Sequence, residues 1–192
     1  MISSRPQRVP APNALDWTPS QCPVGARLQQ RLGQECPPAF RYYGNIQLLS
    51  HPKTALLCSS RYPASIILPT FDQASRWRDE GRCIVSGFHS PMEQECLRIL
   101  LRGKSPVILC PARTLPVRIP SEWEQPLQQG RLLVFSGFQA HENRMTAALA
   151  VRRNALVAAL ADELFFPHIR PGGQIDQLSS FASSWNIPHT IL

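Results

Sequence analysis

Residues 83–93 read Cys83-Ile84-Val85-Ser86-Gly87-Phe88-His89-Ser90-Pro91-Met92-Glu93, and this stretch decides the fold. Its apolar start predicts a buried strand, Ser86 and Gly87 predict a tight turn, and Pro91 opens a helix with an acidic residue in its first turn. Such a unit presents free backbone N–H groups and the positive end of a helix at one point, where proteins often hold phosphate. The stretch therefore predicts a phosphate-binding turn.

A second stretch has the same character and reads Leu132-Leu133-Val134-Phe135-Ser136-Gly137-Phe138. Two such turns on one sheet indicate a nucleotide or nucleic-acid site. The alternative is that Gly87 only permits a tight turn between a strand and a helix.

Apolar runs alternate with helical segments from residue 54 onward. The runs are continuously apolar, as in strands with both faces covered. The pattern therefore predicts an α/β fold with a Rossmann-like three-layer α/β/α arrangement and a mostly parallel sheet. Predicted strands lie at 54–58, 83–85, 106–110, 131–135, 163–166 and 187–192. Predicted helices lie at 69–80, 91–102, 121–129, 146–161 and 175–185.

Ligands of such sheets bind beyond the carboxyl ends of the strands, and small residues and arginines concentrate in the loops expected there. The candidate ligand- and phosphate-binding residues in these loops are Ser60, Arg61, Ser86, Gly87, Phe88, His89, Ser136, Gly137, Gly172 and Gly173. Arg61 is either a phosphate clamp or an ordinary surface arginine. His89 is either a proton-transfer group or a polar contact. Phe88 and Phe138 either stack on bases or cover the core.

The chain is basic, with a formal net charge of +7 over 192 residues, and its lysines are only Lys53 and Lys104. Arginine makes forked contacts to phosphate and stacks on bases, so the composition favours a polyanionic partner over a merely solvated basic surface. The length favours one domain, with room for a small appendage. No run of 18 apolar residues occurs, so no membrane partner is expected.

Six cysteines occur without any C-x-x-C pair, so no zinc site is expected. Cys58, Cys83 and Cys110 lie in or beside apolar runs, and buried free thiols in a reducing cytosol explain them best. The first residues, up to Asn13, lack the apolar region of a secretory signal. We therefore expect a cytoplasmic protein without a cofactor or a metal ion.

The N-terminal part is rich in proline and small polar residues. It predicts a partly extended arm at residues 1–36, with one short helix near 26–33, followed by the main domain at residues 37–192. Residues 40–49 are aromatic and apolar, and we expect them to pack against that domain.

Short motifs occur in order along residues 38–192: Cys58-Ser59-Ser60-Arg61, Ile84-Val85-Ser86-Gly87-Phe88, Phe135-Ser136-Gly137, Arg152-Arg153-Asn154 and Pro171-Gly172-Gly173. Their order resembles the Rossmann-like domain of the DNA-processing protein A (DprA/Smf) family, within the wider SLOG superfamily. In that family a strand ends in Gly-Ser-Arg, two serine turns follow, and a helix carries Arg-Asn-Arg. Here Ser59 replaces the glycine and Ala155 replaces the second arginine.

The resemblance implies a binding module for single-stranded nucleic acid or a nucleotide in DNA processing. It adds Arg153 and Asn154 to the candidate phosphate-binding residues and implies a homodimer. Two other functions stay open. One is a nucleotide-acting hydrolase of the wider superfamily, with Glu93 or His89 as the acid–base group. The other is a non-catalytic interaction protein with a vestigial pocket.

Overall fold

The computed structural model describes residues 7–192, in which the main feature is a sheet of eight strands. The strands in chain order are β1 Arg8–Pro10, β2 Leu15–Trp17, β3 Phe40–Gly44, β4 Lys53–Leu56, β5 Cys83–Ser86, β6 Val107–Leu109, β7 Arg118–Pro120, β8 Leu132–Ser136, β9 Glu163–Phe166 and β10 His189–Ile191. The α-helices are α1 Gly25–Leu32, α2 Ile67–Glu80, α3 Pro91–Leu101, α4 Glu124–Gln128, α5 Ala147–Leu160 and α6 Gln174–Ser183. Short 3₁₀ turns occupy Gly33–Glu35, Ile46–Ser50, Ala64–Ile66 and Ser121–Trp123.

The strands of the large sheet lie in the order β10-β9-β4-β5-β6-β8-β3-β2. From β10 to β8 every neighbouring pair is parallel. The two strands at the other edge, β3 and β2, are antiparallel to their neighbours. The predicted α/β fold with a mostly parallel sheet is thus confirmed.

Helices cover both faces of this sheet. On one face α1, α5 and α6 bury side chains such as Leu28, Val157 and Leu178 against the strands. On the other face α2 and α3 pack together and bury Trp77 and Leu100. Because both faces of the central strands are covered, those strands contain continuous apolar runs, such as Cys83–Val85 in β5 and Val107–Leu109 in β6, as the sequence indicated.

Two features of the sheet edges were not predicted from the sequence. Residues 40–49 were expected only to pack on the domain, but β3 extends the sheet beside β8. The loop after β6 contributes β7, which pairs with β1 as a separate two-stranded ribbon. β1 and β7 have three residues each, which is too few for an alternating pattern, and β3 pairs with β8, a strand far away in sequence.

The N-terminal segment is joined to the main sheet by several contacts. Trp17 in β2 packs on Tyr42 in β3 with ring centroids 5.6 Å apart. The short helix predicted near residues 26–33 is confirmed as α1. The first six residues of the predicted arm lie outside the described residues. The division into an arm and a domain that begins at residue 37 stays a prediction.

An ion-pair cluster ties α1 to the amino ends of β4 and β9. The Lys53 side chain is 1% exposed, and its Nζ lies 3.2 Å from an oxygen of Asp162. The same carboxylate accepts a hydrogen bond from the Lys53 backbone N–H at 3.0 Å and pairs with Arg27 at 2.7 Å. Burial alone would raise the pKa of Asp162, but these hydrogen bonds and cations outweigh it and hold the pKa below its ordinary value.

No helix within residues 7–192 combines the length and the apolar composition that crossing a bilayer requires.

Candidate functional site

The carboxyl edge of the sheet contains a crevice where the chain reverses its direction of winding. β4 lies between β5 and β9, and the chain passes to β9 only after it has built β5, β6 and β8 on the other side. Sheets of this type bind ligands at such a switch point. A cavity of about 260 Å³ opens there, which we call the switch-point cavity. Its lining includes Ser60, Arg61, Arg153, Asn154, Arg170 and Gly173.

The backbone N–H groups after the Ser86-Gly87 turn donate to protein side chains. The Phe88 N–H donates to Ser86 Oγ at 3.2 Å. The N–H groups of His89 and Ser90 both donate to Glu93 Oε2, at 2.9 and 3.0 Å. Ser90 Oγ in turn accepts from the Glu93 N–H at 3.2 Å, which completes a capping box. The start of α3 is therefore closed by its own side chains.

Glu93 also joins two loops of the site. Its side chain is buried, and Oε1 accepts a hydrogen bond from the Cys58 N–H at 3.3 Å, directly after β4. The carboxylate thus holds three backbone N–H groups from the loops after β4 and β5. This arrangement fixes the two loops that border the switch-point cavity.

Arg153 on α5 lies against Gly87 and is 5% exposed. Its Nε donates to Asn154 Oδ1 at 2.7 Å. Within the described residues, Nη1 and Nη2 have no hydrogen-bond partner, and both atoms keep some contact with solvent. Burial lowers the pKa of Arg153, and the nearby Glu93 carboxylate opposes that shift. A buried guanidinium with two free N–H₂ groups is a site for an anion.

The amino end of α6 borders the same cavity through Gly173. Within the described residues, no side chain accepts from the N–H groups of its first turn, although the Asp176 carboxylate of that turn accepts from the Gly172 N–H at 2.8 Å and already supplies one negative charge there. The preceding loop is fixed because Arg170 donates its backbone N–H to Ser59 Oγ at 3.0 Å. The open helix start in this site is therefore that of α6, whereas the sequence pointed to α3.

The Ser136-Gly137 turn lies apart from the crevice. Ser136 Oγ donates to the Arg113 carbonyl at 2.8 Å, and Gly137 packs against Pro37. Both residues are buried. The two Ser-Gly-Phe turns therefore have similar local structure but do not converge on one cavity.

The rings of Phe88 and Phe138 are 5% and 3% exposed, so both cover the core beneath the loops. Phe88 has a positive φ of 46°, which is costly for a side chain of this size and is held by the tight turn. The guanidinium of Arg152 lies over Phe138, 5.1 Å from the ring centre. Neither ring stands free for stacking in this structure.

The structure brings about half of the candidate residues together. Those lining the switch-point cavity are Ser60, Arg61, His89, Arg153, Asn154 and Gly173. Those lining neither this cavity nor its neighbour, described below, are Ser86, Ser136, Gly137 and Gly172. Sequence reasoning placed Arg170 in the loops at the carboxyl edge but left it out of the candidate binding residues, although it lines the cavity.

Cys58 lies in the cavity wall, but burial, aided by Glu93, raises the pKa of its thiol to about 12. The thiol is therefore protonated at neutral pH and is a poor nucleophile. In residues 7–192, no group of three His, Cys, Asp or Glu side chains is arranged to hold a metal ion. The guanidinium groups and helix-start N–H groups around the crevice are groups that attract anions.

These features define a Rossmann-like α/β protein with an arginine-lined crevice at the switch point of its sheet. No family model and no curated protein matches the chain. Among solved structures it is similar to DNA processing protein A of Helicobacter pylori, whose single-stranded DNA binding mode has been described. The TM-score is 0.70 at 18% identity, over 96% of this chain and 80% of that one.

Two further structures are similar. DNA processing protein A of Streptococcus pneumoniae matches with a TM-score of 0.67 at 18% identity, over 81% of this chain and 55% of that protein, so this chain spans little more than half of its length. The molybdenum cofactor binding protein of Rippkaea orientalis matches with a TM-score of 0.52 at 9% identity, over 73% of this chain and 75% of that one. The fold is therefore DprA-like, as the sequence motifs predicted.

Proposed function

We propose that this protein binds single-stranded nucleic acid, or a nucleotide unit of it, at the carboxyl edge of its sheet and acts in cytoplasmic DNA processing. The observation that carries the proposal is Arg153, a nine-tenths buried guanidinium whose terminal nitrogens have no partner in the described chain. A phosphate on Arg153 would lie beside the Ser86-Gly87 turn and near the open start of α6. The DprA-like fold and the reported single-stranded DNA binding of the Helicobacter pylori protein support this choice.

The charge around the crevice suits a strand with several phosphates. Arg61 and Arg170 are exposed at the rim of the switch-point cavity, and Arg153 lies at its base. Three guanidinium groups within one small cavity repel one another unless an anion lies between them. Glu93, the one carboxylate that the described residues contribute to the lining, already accepts from backbone N–H groups. Its role in the proposal is to shape the loops, and it takes no part in proton transfer.

Binding of a fluorescein-labelled oligothymidylate, measured by anisotropy over about 50 to 200 mM salt, tests the proposal. The association constant should fall linearly with salt on a log–log plot, with a slope of about −0.7 per phosphate contacted. Thermal shifts with free nucleotides measure whether a single nucleotide is enough. Light scattering on the same samples measures whether the homodimer implied by the resemblance forms. Absence of salt-dependent binding would contradict the proposal.

Arg153→Met should weaken oligonucleotide binding by about 10- to 100-fold, because charge-assisted hydrogen bonds to the phosphate are lost. Methionine keeps the unbranched packing against Gly87. Since the variant removes a buried charge that forms no ion pair within the described residues and loses only the hydrogen bond from Nε to Asn154, the melting temperature should change little or rise. A fall in melting temperature with unchanged binding would assign Arg153 a purely structural role.

The matched control is Arg152→Met, one position earlier on α5. Arg152 pairs with Glu142 at 2.6 Å and lines neither the switch-point cavity nor its neighbour. The Arg152→Met substitution removes one positive charge from the same helix but leaves the lining of the crevice unchanged. Binding should fall by less than about 3-fold, as expected for the loss of one remote charge.

Gly87→Ala should weaken binding without removing any charge. A Cβ at Gly87 would lie 1.4 Å from Nη1 of Arg153, so the guanidinium must move away from its present position against residue 87. The backbone at Gly87 does not have a positive φ, and only the end of a flexible side chain has to shift, so the fold should be kept. Anisotropy should report a loss similar to that of Arg153→Met. Wild-type affinity in this variant would show that the position of Arg153 is unimportant.

A further inference from the structure

A second cavity, of about 390 Å³, adjoins the switch-point cavity on the side of β5 and β6. We call it the ribbon cavity because Arg8 and Arg118, from the β1–β7 ribbon, form one wall. Arg153 and His89 line both cavities, so the two share a boundary at the proposed phosphate position. Its volume lies within the range of small-molecule sites, whereas the switch-point cavity is smaller.

The inner walls of the ribbon cavity are largely apolar. Leu97 and Leu109 form part of its floor, Pro111 and Pro116 contribute from the loop after β6, and the half-buried indole of Trp123 forms one side. Proline and indole surfaces are flat and rigid, so they accommodate a planar group at low entropic cost. Such a surface suits an aromatic ring system better than a phosphate.

The rim of the same cavity is strongly basic. Among residues 7–192, the charged residues that line it are Glu122, Arg8, Arg98, Arg113, Arg118 and Arg153. Arg98 is already paired with Glu95 at 2.7 Å. Even without Arg98, the cations outnumber the carboxylate. The ligand that fits must therefore carry negative charge beside a planar apolar body.

We propose that the ribbon cavity receives the base of the nucleotide whose phosphate lies on Arg153, with Trp123 as the stacking surface. This inference rests on the proposed function and adds the side of the phosphate position on which the base lies. A nucleotide combines an anionic phosphate with a planar base at short distance, which matches the two adjoining cavities. The base side of the site is then formed by the ribbon that begins in the N-terminal segment.

Two labelled strands of equal length separate the base contact from the phosphate contact. One is an oligothymidylate, and the other is an abasic phosphodiester strand with the same number of phosphates. Trp123→Leu should weaken binding of the thymidylate strand by at least about 5-fold, since stacking on an aromatic side chain is lost. It should leave binding of the abasic strand unchanged.

The matched control is Trp17→Leu in β2, at the far edge of the sheet, where Trp17 contacts Tyr42 and lines neither cavity. Both strands should bind this variant as they bind the wild type. If Trp123→Leu changes binding of neither strand, or weakens both equally, the base site is overturned while the phosphate site stands. If neither strand binds the wild type in a salt-dependent way, the proposed function fails as well.

Indole fluorescence of the wild type gives a readout that does not depend on how a variant folds. Saturation with the thymidylate strand should quench part of the emission, because a stacked base lies against Trp123, and saturation with the abasic strand should not. The quenching should persist in Trp17→Leu. Equal emission with both strands would overturn the assignment.

Discussion

Replacing Asp162 with asparagine is expected to lower the free energy of unfolding by about 3 kcal/mol, because the buried ammonium of Lys53 loses its counterion. The Lys53 side chain is 1% exposed, and its remaining acceptor is the His51 carbonyl at 2.8 Å. Asp162 itself is about one-third exposed, so the expected loss of stability is at the lower end of the range for breaking a buried ion pair. Urea unfolding, monitored by circular dichroism, measures this loss in the free energy of unfolding.

The double variant Lys53→Met/Asp162→Asn is the control. Methionine has a similar length and leaves no orphaned charge, so the double variant should be more stable than Asp162→Asn alone. This non-additivity assigns the loss to the uncompensated ammonium. If the double variant is the less stable of the two, the explanation by an orphaned charge is wrong.

The same carboxylate predicts a dependence of stability on pH. Its folded pKa lies below the ordinary value of 3.8, so its contribution is fully present above that value and is lost as the pH falls through the lower folded pKa. The difference in stability between the wild type and Asp162→Asn should therefore shrink in strongly acidic solution. A difference that stays constant down to that range would contradict the assignment.

The central part of the fold could be predicted because its signals are local. Continuous apolar runs marked β4, β5, β6, β8 and β9, and a proline at the first helical position marked α3. The ribbon and the antiparallel edge could not be predicted in this way. The pairing of Arg8 with Pro120 joins strands of three residues across most of the chain, and such strands carry no periodic pattern of their own.

The candidate site was predicted in outline, and its detail depended on tertiary contacts. The sequence correctly indicated that the loops at the carboxyl edge carry arginines and small residues. The Ser90-x-x-Glu93 spacing was a readable sign that side chains close the start of α3. Arg153 became a candidate only through the resemblance of the Arg152-Arg153-Asn154 motif, and its burial had no local sign because it depends on Gly87, which is far away in sequence.

Glu93→Gln is the second substitution with a large expected effect, a loss of about 3 kcal/mol in the free energy of unfolding. The carboxylate accepts from the N–H groups of Cys58, His89 and Ser90. A glutamine has one acceptor oxygen, and its NH₂ group would face at least one of these donors, leaving buried N–H groups without a partner. The negative charge that favours the start of α3 is lost as well.

The matched control is Glu95→Gln on the same helix, where Glu95 forms an ordinary pair with Arg98 at 2.7 Å and a loss below about 0.5 kcal/mol is expected. Thermal unfolding compares the two variants directly. The result also separates two roles for Glu93. If Glu93 were a free acid–base group, as the hydrolase alternative requires when it uses Glu93 and not His89, Glu93→Gln would leave the melting temperature unchanged. If it holds the loops after β4 and β5 together, the melting temperature falls, while oligonucleotide binding persists at temperatures where the variant remains folded.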